Sequence, residues 1–333
     1  MKVDKPLTAS EVATLWMTYQ EKTMLQRFLE YFIEVSDDKE AKNIMTNTHS
    51  TIVKYVDVMK TIFEKEGAVI PIGFTKEDIH IGAPKLYDQM FDIMFLRMIK
   101  EISMGLHTLH LNMSYRDDLI LLYKELTTFT QNVFHTCVEY LQVKDVLPRP
   151  PSVTMPKSVE FAKNTNYMSG LNLFSNKRAL NTVEVSYIYH TIESNIFGMQ
   201  MITGFAQVAN EHEVKKYFIK GKELSKKIVT DYTQVLLQSD IQPASTWGAK
   251  ATDSKISPFS DKLMMYCTSL FTSFGLGSNA LGTSFSLRSD LPLLMTSTAK
   301  DIFTYGQDGG KIMARNGWME QPPSMEDRNN LTK

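Results

Sequence analysis

The chain has 333 residues, of which 43% are hydrophobic, and its 36 basic and 37 acidic residues give a formal net charge of −1. This balance excludes the clustered Lys/Arg excess that a nucleic-acid-binding surface needs, so we predict no nucleic-acid partner. Two cysteines, Cys137 and Cys267, are too few for a disulfide framework and form no CxxC motif. They predict buried thiols in a reducing cytoplasm.

One segment resembles a membrane span in its lack of charge. Residues 263–287 carry no Asp, Glu, Lys or Arg but are rich in Gly, Ser and Thr. Their hydrophobicity is modest for a lipid environment, so we predict a helix that is buried between two domains and no membrane span. The first eleven residues contain no apolar run, which predicts that they are not a signal peptide.

The sequence contains an internal repeat. Segment 7–11 (LTASE) recurs 173 residues later as 180–184 (LNTVE), and the S-x-R-x-D pattern of 114–118 recurs at 286–290. Such a long period is typical of a duplicated domain, because solenoid repeats are about 20–50 residues long. We therefore predict two domains of about 150–170 residues, each large enough for one buried core.

Eight helices are predicted, four in each half. Side chains of Ser, Thr, Asp and Asn accept hydrogen bonds from the first N–H groups of a helix, and proline is tolerated in the first turn. In chain order the predicted starts are marked by Thr8 with Glu11, Asp37 with Glu40, Pro84, Ser114, Asn181 with Glu184, Asn210 with Glu213, Pro258 and Ser286.

The spacing of apolar residues and the connections predict the architecture. Apolar residues recur at steps of three and four, which is typical of long antiparallel helices in a four-helix bundle. The fold class is all-α, with a first bundle at 1–147, a proline-rich crossing linker at 148–179 and a second bundle at 180–333. The linker is predicted to pack through apolar residues that include Val159, Phe161, Tyr167, Leu171 and Phe174.

Several segments resemble a Bacillus-type family of unknown function that is built as two tandem ferritin-like four-helix bundles. The most specific are PFSDKLMM at 258–265 and GWMEQPP at 317–323, and others are IPIGFT at 70–75, APKLYD at 83–88, RPP at 149–151 and GFAQVA at 204–209. The resemblance covers essentially the whole chain. The closing GWMEQPP block is also similar to the end of spore coat F-like proteins. The resemblance implies a sporulating host, a spore or mother-cell setting, and metal binding in some members.

The sequence lacks the ligand pattern of a di-iron bundle. Such a site needs a Glu from each of two helices and an E-x-x-H from each of the other two, and no E-x-x-H is present. His190 and Glu193 form the reversed pattern, in which His190 is predicted to be a solvated surface residue. His107 and His110 have ligand spacing but are predicted to lie at a helix end that faces a loop. The resemblance implies a histidine near Lys227, where this chain has a lysine.

Asp301 is the strongest candidate for a metal ligand. Moving the apolar stripe of the fourth helix by 172 residues places Asp301 at the position of Phe129, in the core. A buried carboxylate is costly unless it is paired or bound to a cation. Two interpretations remain: a buried hydrogen bond, for example to Tyr305, or a site for iron, manganese or zinc formed by Asp301 with Glu193 and Asp261.

The sequence matches no catalytic template, since it contains no G-x-S-x-G, Walker A or G-x-G-x-x-G motif in the required context. The first hypothesis is therefore a cytoplasmic, non-catalytic structural or interaction protein that binds a protein partner or self-assembles. The alternative is a metal-dependent redox or metal-storage protein. A third hypothesis is a small-molecule pocket in the second bundle, where Gly and Ser leave room.

Overall fold

The computed structural model of the protein describes residues 5–88, 90–147, 149–171, 177–243 and 250–331, except the side chain of residue 330. These residues confirm the all-helical fold, because their only β-structure is isolated bridging such as that between Ile79 and Phe259. The long helices, four in each half, are α1 (Ala9–Val35), α2 (Lys39–Lys65), α3 (Phe91–Asn112), α4 (Asp117–Val143), α5 (Thr182–Val208), α6 (His212–Leu237), α7 (Asp261–Phe285) and α8 (Asp290–Arg315).

The chain forms two compact units. The first comprises the described residues within Met1–Asp145, Ile256–Leu263 and Met313–Lys333. The second comprises those within Val146–Lys255 and Met264–Ile312. The repeated halves of helix packing agree with the predicted duplication, whereas the predicted boundaries at 147 and 179 stay a prediction.

The helices of the first unit differ in how much of their surface is buried. In α1, residues 21–29 are all buried, so this helix is enclosed on every side. In α2 the buried residues follow steps of three and four along one face, as predicted. Because α1 carries charged residues within its enclosed part, the first unit must accommodate charges in its interior.

Residues of the internal repeat connect the start of α1 to the start of α4. Thr8 and Glu11 form the predicted capping box of α1. The second carboxylate oxygen of Glu11, Oε1, accepts hydrogen bonds from the backbone N–H groups of Tyr115 and Arg116, at 2.9 and 2.8 Å. One glutamate therefore satisfies N–H groups at the start of α1 and just before α4, and Arg116 in turn holds Asp118 with two hydrogen bonds of 2.8 Å.

The second half repeats this arrangement. Asn181 and Glu184 form the predicted capping box of α5. Oε1 of Glu184 accepts hydrogen bonds from the backbone N–H groups of Leu287 and Arg288, at 3.3 and 3.0 Å. Arg288 holds Asp290 through two hydrogen bonds, as Arg116 does with Asp118. The recurrence of these residues in the sequence is therefore explained by a structural role at the ends of helices.

Other predicted helix starts are wrong. Asp38, one residue later than predicted, caps α2 by accepting from the N–H groups of Glu40 and Ala41. Pro84 precedes α3 by several residues, and Ser114 donates to the carbonyl of His110 instead of capping α4. Before α4, the long-range acceptor Glu11 takes the place of the predicted local cap.

A segment from the second half of the sequence packs in the first unit. Phe259 is buried, and its ring lies 4.4 Å from that of Phe28 and 5.0 Å from that of Tyr31, between ring centroids. Ser260 donates from its backbone N–H to the carbonyl of Asp78 and from its hydroxyl to the Asp78 carboxylate. The PFSDKLMM block therefore contributes an aromatic side chain to the core of the first unit.

The second unit contains a reciprocal packing of tyrosines and glycines. The rings of Tyr217 on α6 and Tyr305 on α8 are stacked, with centroids 4.2 Å apart and planes within 2° of parallel. A Cβ atom at Gly221 would collide with the hydroxyl of Tyr305, and one at Gly309 with that of Tyr217. Tyr305 therefore packs against Tyr217. It is not the partner of Asp301, although it was one example of a predicted partner; Asp301 pairs with Lys227 instead.

The described helices, α7 included, lack the combination of length and hydropathy that a membrane span requires. This agrees with the prediction that residues 263–287 do not span a membrane, whereas their predicted burial between two domains stays a prediction.

Candidate functional site

Asp301 lies outside the core. Its side chain is 38% exposed, and its Oδ2 accepts a hydrogen bond of 2.8 Å from Nζ of Lys227. The expectation of burial is wrong because the buried stripe of α4 runs through Thr130, whereas Phe129 is only half-buried. The residue of α8 that corresponds to Thr130 is Ile302, which is buried. Asp301 is therefore next to the buried stripe and not part of it.

The two other predicted ligands occupy different surroundings. Glu193 is half-buried on α5, and Asp261 is buried as the first residue of α7. Within the described ranges, no three His, Cys, Asp or Glu side chains come together in a way that could hold a metal ion. The assignment of Asp301, Glu193 and Asp261 as ligands of iron, manganese or zinc stays a prediction.

His107 and His110 lie near the C-terminal end of α3, as predicted. The expectation that they face a loop is wrong, because both are buried and contact helices α4 and α1. Nδ1 of His107 lies 3.2 Å from the hydroxyl of Thr130, and Nδ1 of His110 lies 3.1 Å from that of Thr18. Burial lowers the pKa of His110 to about 4, and burial together with nearby ammonium groups lowers the pKa of His107 well below its ordinary value. Both imidazoles are therefore neutral hydrogen-bonding groups at pH 7.

His190 also differs from its prediction. It is half-buried on α5, where Nδ1 lies 3.3 Å from the hydroxyl of Ser278. Its ring packs edge-on against that of Phe274 on α7, with centroids 6.1 Å apart. Its contacts are therefore those of a packing residue between two helices of the second unit.

A buried charged network occupies the interior of the first unit. We call it the Glu21 network, and its members are Glu21, Lys22, Lys100 and Ser103, all at most 3% exposed. Glu21 Oε2 lies 2.7 Å from Lys22 Nζ, and Oε1 accepts a hydrogen bond of 2.8 Å from the Ser103 hydroxyl. Burial alone would raise the pKa of Glu21, but Lys22, Lys100 and Ser103 outweigh this effect and lower it. The carboxylate is therefore charged at pH 7 and connects α1 to α3.

Lys100 is the least satisfied member of the Glu21 network. Its Nζ is fully buried, has no hydrogen-bond partner among the described residues, and lies 5.0 Å from the ring centroid of Phe129. Burial and the charge of Lys22 lower the pKa of Lys100 to about 7, although Glu21 acts in the opposite direction. The interior of the first unit therefore favours the neutral amine of Lys100 far more than water does.

The Glu21 network was missed in the sequence. The charged residues of 93–102 are Arg97, Lys100 and Glu101, and their steps of three and four are those of a solvated helix face, so the local pattern does not mark Lys100 as buried. Perturbed pKa values are common at functional sites but also occur in structural ion-pair networks. All partners of this network come from helices of its own unit, so its contacts are those of a structural network.

Lys100 predicts a specific pH dependence of stability. Its pKa is about 7 in the folded protein and about 10.4 in an unfolded chain, so between these values the unfolded state binds more protons. The Lys100→Met variant is therefore expected to be more stable than wild type at pH 7, and this advantage should shrink as the pH rises towards 10. Urea unfolding of both proteins at several pH values measures the difference. Lys124→Met, at an exposed position, serves as the control and should show no such trend.

A second candidate site is the segment of residues 150–163, which we call the arm. The arm forms no helix or strand, and every one of its residues is exposed. The predicted packing of the linker is therefore wrong for Val159 and Phe161, which are each 82% exposed, and also for Leu171, at 59%. Tyr167 does pack, since the guanidinium of Arg178 lies 4.1 Å from its ring centroid. Phe174 lies outside the described residues.

Four large apolar side chains project from the arm. Val153 and Met155 precede the central Lys157, and Val159 and Phe161 follow it, with exposed fractions from 51% to 82%. The backbone N–H and C=O groups of the arm make no hydrogen bond with another described residue. The arm therefore offers both apolar surface and unpaired backbone groups, which makes it the candidate interaction site of the protein.

Comparisons with known proteins agree with the duplication. The sequence model of a family described as protein of unknown function, DUF3231, matches residues 1–159 and again residues 168–331. No curated protein matches the chain. The crystal structure of a "putative spore coat protein" from Bacillus halodurans C-125 is similar at 15% sequence identity, with a TM-score of 0.42. That alignment covers 45% of this chain and 98% of the other, and a similarity of this size carries no conclusion about function.

Proposed function

The chain belongs to the DUF3231 family of proteins of unknown function, and from that premise we propose that it is a non-catalytic interaction protein. In this proposal the helical bundles are a scaffold, and the arm is the segment that binds a protein partner. A location in the cytoplasm is supported by Cys137 and Cys267, which are free and buried. A setting in sporulation is supported only by the sequence resemblance.

The observation that carries the proposal is the exposure of Val153, Met155, Val159 and Phe161 on the arm. Single exposed apolar residues are common on protein surfaces, but four within nine residues of one segment are not explained by packing in the chain itself. Burying side chains of these types contributes about 1.5–3 kcal/mol each. Covering two of them would contribute about 3–6 kcal/mol, which does not offset the entropy cost of association. A specific complex therefore needs a partner that covers all four, for about 6–12 kcal/mol before that cost.

Photo-crosslinking of the full-length chain in its native cells tests the proposal. With p-benzoylphenylalanine in place of Phe161, we expect a covalent adduct with one partner protein, which mass spectrometry then identifies. Phe303, which is 52% exposed on α8, is the matched control position and should give no adduct of that mass. The purified partner should then bind the chain, and Val159→Ser with Phe161→Ser should weaken the affinity at least about tenfold.

The absence of an adduct at position 161 would show that the proposal is wrong. Equal adduct formation at 161 and 303 would have the same meaning, because it would report general surface contact.

A further inference from the structure

We infer that the arm binds its partner as an added β-strand, along the open edge of a β-sheet. This inference rests on the proposed function, and it adds the chemistry of the surface to which the arm binds. It is carried by the alternation of side chains along the arm, by the placement of its prolines and by the position of one lysine.

The side chains of the arm alternate with a period of two. Positions 153, 155, 159 and 161 are Val, Met, Val and Phe, whereas positions 154, 156, 158 and 160 are Thr, Pro, Ser and Glu. In an extended strand, successive side chains point to opposite faces, so the apolar residues share one face together with Lys157. This pattern is typical of a half-buried strand and not of a helix.

The backbone of the arm is suited to pairing on one side only. Along a strand, the N–H and C=O groups of odd and even residues point to opposite edges. Between 152 and 162 every odd residue retains its N–H group, but the even edge is interrupted at its centre by Pro156. Proline cannot donate to a ladder and blocks a further strand on its side. The arm can therefore add to a sheet edge through its odd residues, while Pro156 interrupts its other edge.

The chemistry of the partner follows from the apolar face. Lys157 lies at its centre, with two apolar residues before it and two after it. A surface that buries this face needs apolar pockets on both sides and a carboxylate opposite the lysine, since an unpaired buried ammonium group is costly. The partner surface is thus an open sheet edge with a central acidic residue.

A second copy of the arm is a poorer partner. Antiparallel pairing that overlaps all five odd positions from 153 to 161 places Lys157 directly opposite Lys157. Like charges in that arrangement destabilise a strand pair. A two-stranded ribbon without further packing is also only marginally stable in water. Charge and strand number therefore favour a different protein, with a sheet of its own.

Proline substitutions at neighbouring positions of the full-length chain test this geometry. With the crosslinking residue at position 161, Val159→Pro removes an N–H group from the odd edge, and Ser158→Pro removes one from the even edge. We expect Val159→Pro to lower the yield of adduct at least about tenfold below that of Val159→Ala, because a ladder hydrogen bond is lost and its acceptor is left unpaired. Ser158→Pro should retain the yield within about threefold. The helical content and melting temperature of each variant should equal those of wild type, because the arm is exposed.

The outcomes separate this inference from the proposed function. If an adduct forms and both prolines have the same effect, or only Ser158→Pro is harmful, the added-strand geometry is wrong while the arm remains an interaction site. If the adduct is a second copy of the chain, the assignment of the partner is wrong. If no adduct forms with the unmodified arm, both the inference and the proposed function are wrong.

Discussion

The Glu21→Gln variant is expected to lose about 3–5 kcal/mol of the free energy of unfolding. Glutamine has nearly the shape of glutamate, so the packing around it is retained while the negative charge is removed. Lys22 lies 2.7 Å from Glu21 and would then be buried without its counter-charge, beside the buried Lys100. Removing one member of a buried ion pair is strongly destabilising because the remaining charge has no compensation. Urea unfolding followed by circular dichroism at pH 7 measures the loss.

The controls for this variant separate charge from packing. Glu125→Gln changes an exposed glutamate on α4 and should alter the free energy of unfolding by less than about 0.5 kcal/mol. A triple variant, Glu21→Met with Lys22→Leu and Lys100→Met, removes all three charges and should recover most of the loss, because an apolar cluster of similar volume replaces the ion pair. A cost below about 1 kcal/mol for Glu21→Gln would contradict the view that this carboxylate stabilises the interior of the first unit.

The Phe259→Ala variant is expected to destabilise the protein by about 3–5 kcal/mol. The Phe259 ring is buried against Phe28 and Tyr31, so its removal loses buried apolar area and leaves a cavity among aromatic rings. Phe259 is remote from these partners in sequence, and its loss therefore also weakens the attachment of residues 256–263 to the first unit. Thermal and urea unfolding of the full-length protein measure the effect.

A matched substitution at an exposed phenylalanine provides the control for Phe259. Phe303→Ala, on α8, should change stability by less than about 0.5 kcal/mol. Phe259→Leu should lie between wild type and Phe259→Ala, because leucine fills part of the cavity. Equal stability of Phe259→Ala and Phe303→Ala would mean that the Phe259 ring does not stabilise the aromatic cluster.

Local patterns in the sequence were sufficient for the helices and the duplication. The capping boxes of Thr8 with Glu11 and of Asn181 with Glu184 involve residues three positions apart, and both are present. The one-sided burial of α2 follows its apolar spacing in the same way. Interactions of this kind depend on near neighbours in the chain, so a single sequence is enough to predict them.

The candidate metal residues show why a site is harder to predict than a fold. The interpretation of Asp301 depended on which residue of α4 faces the core, and a shift from Phe129 to Thr130 moves Asp301 out of it. One residue corresponds to a rotation of about 100° around a helix. An error of one residue leaves the predicted helix unchanged but changes which of its side chains is buried. Asp301 is consequently not a buried carboxylate, and it pairs with Lys227.

The all-helical fold, the duplication and the alternation of apolar and polar residues in the arm can be read from the amino-acid sequence. Three other features depend on how the chain packs: the shared burial of Glu21 and Lys100, the contact of Phe259 with Phe28, and the exposure of the arm. The two groups differ in the distance along the chain over which each property is set. Helix formation and alternation depend on adjacent residues, whereas burial depends on which distant segments cover a side chain, and that is decided when the whole chain packs.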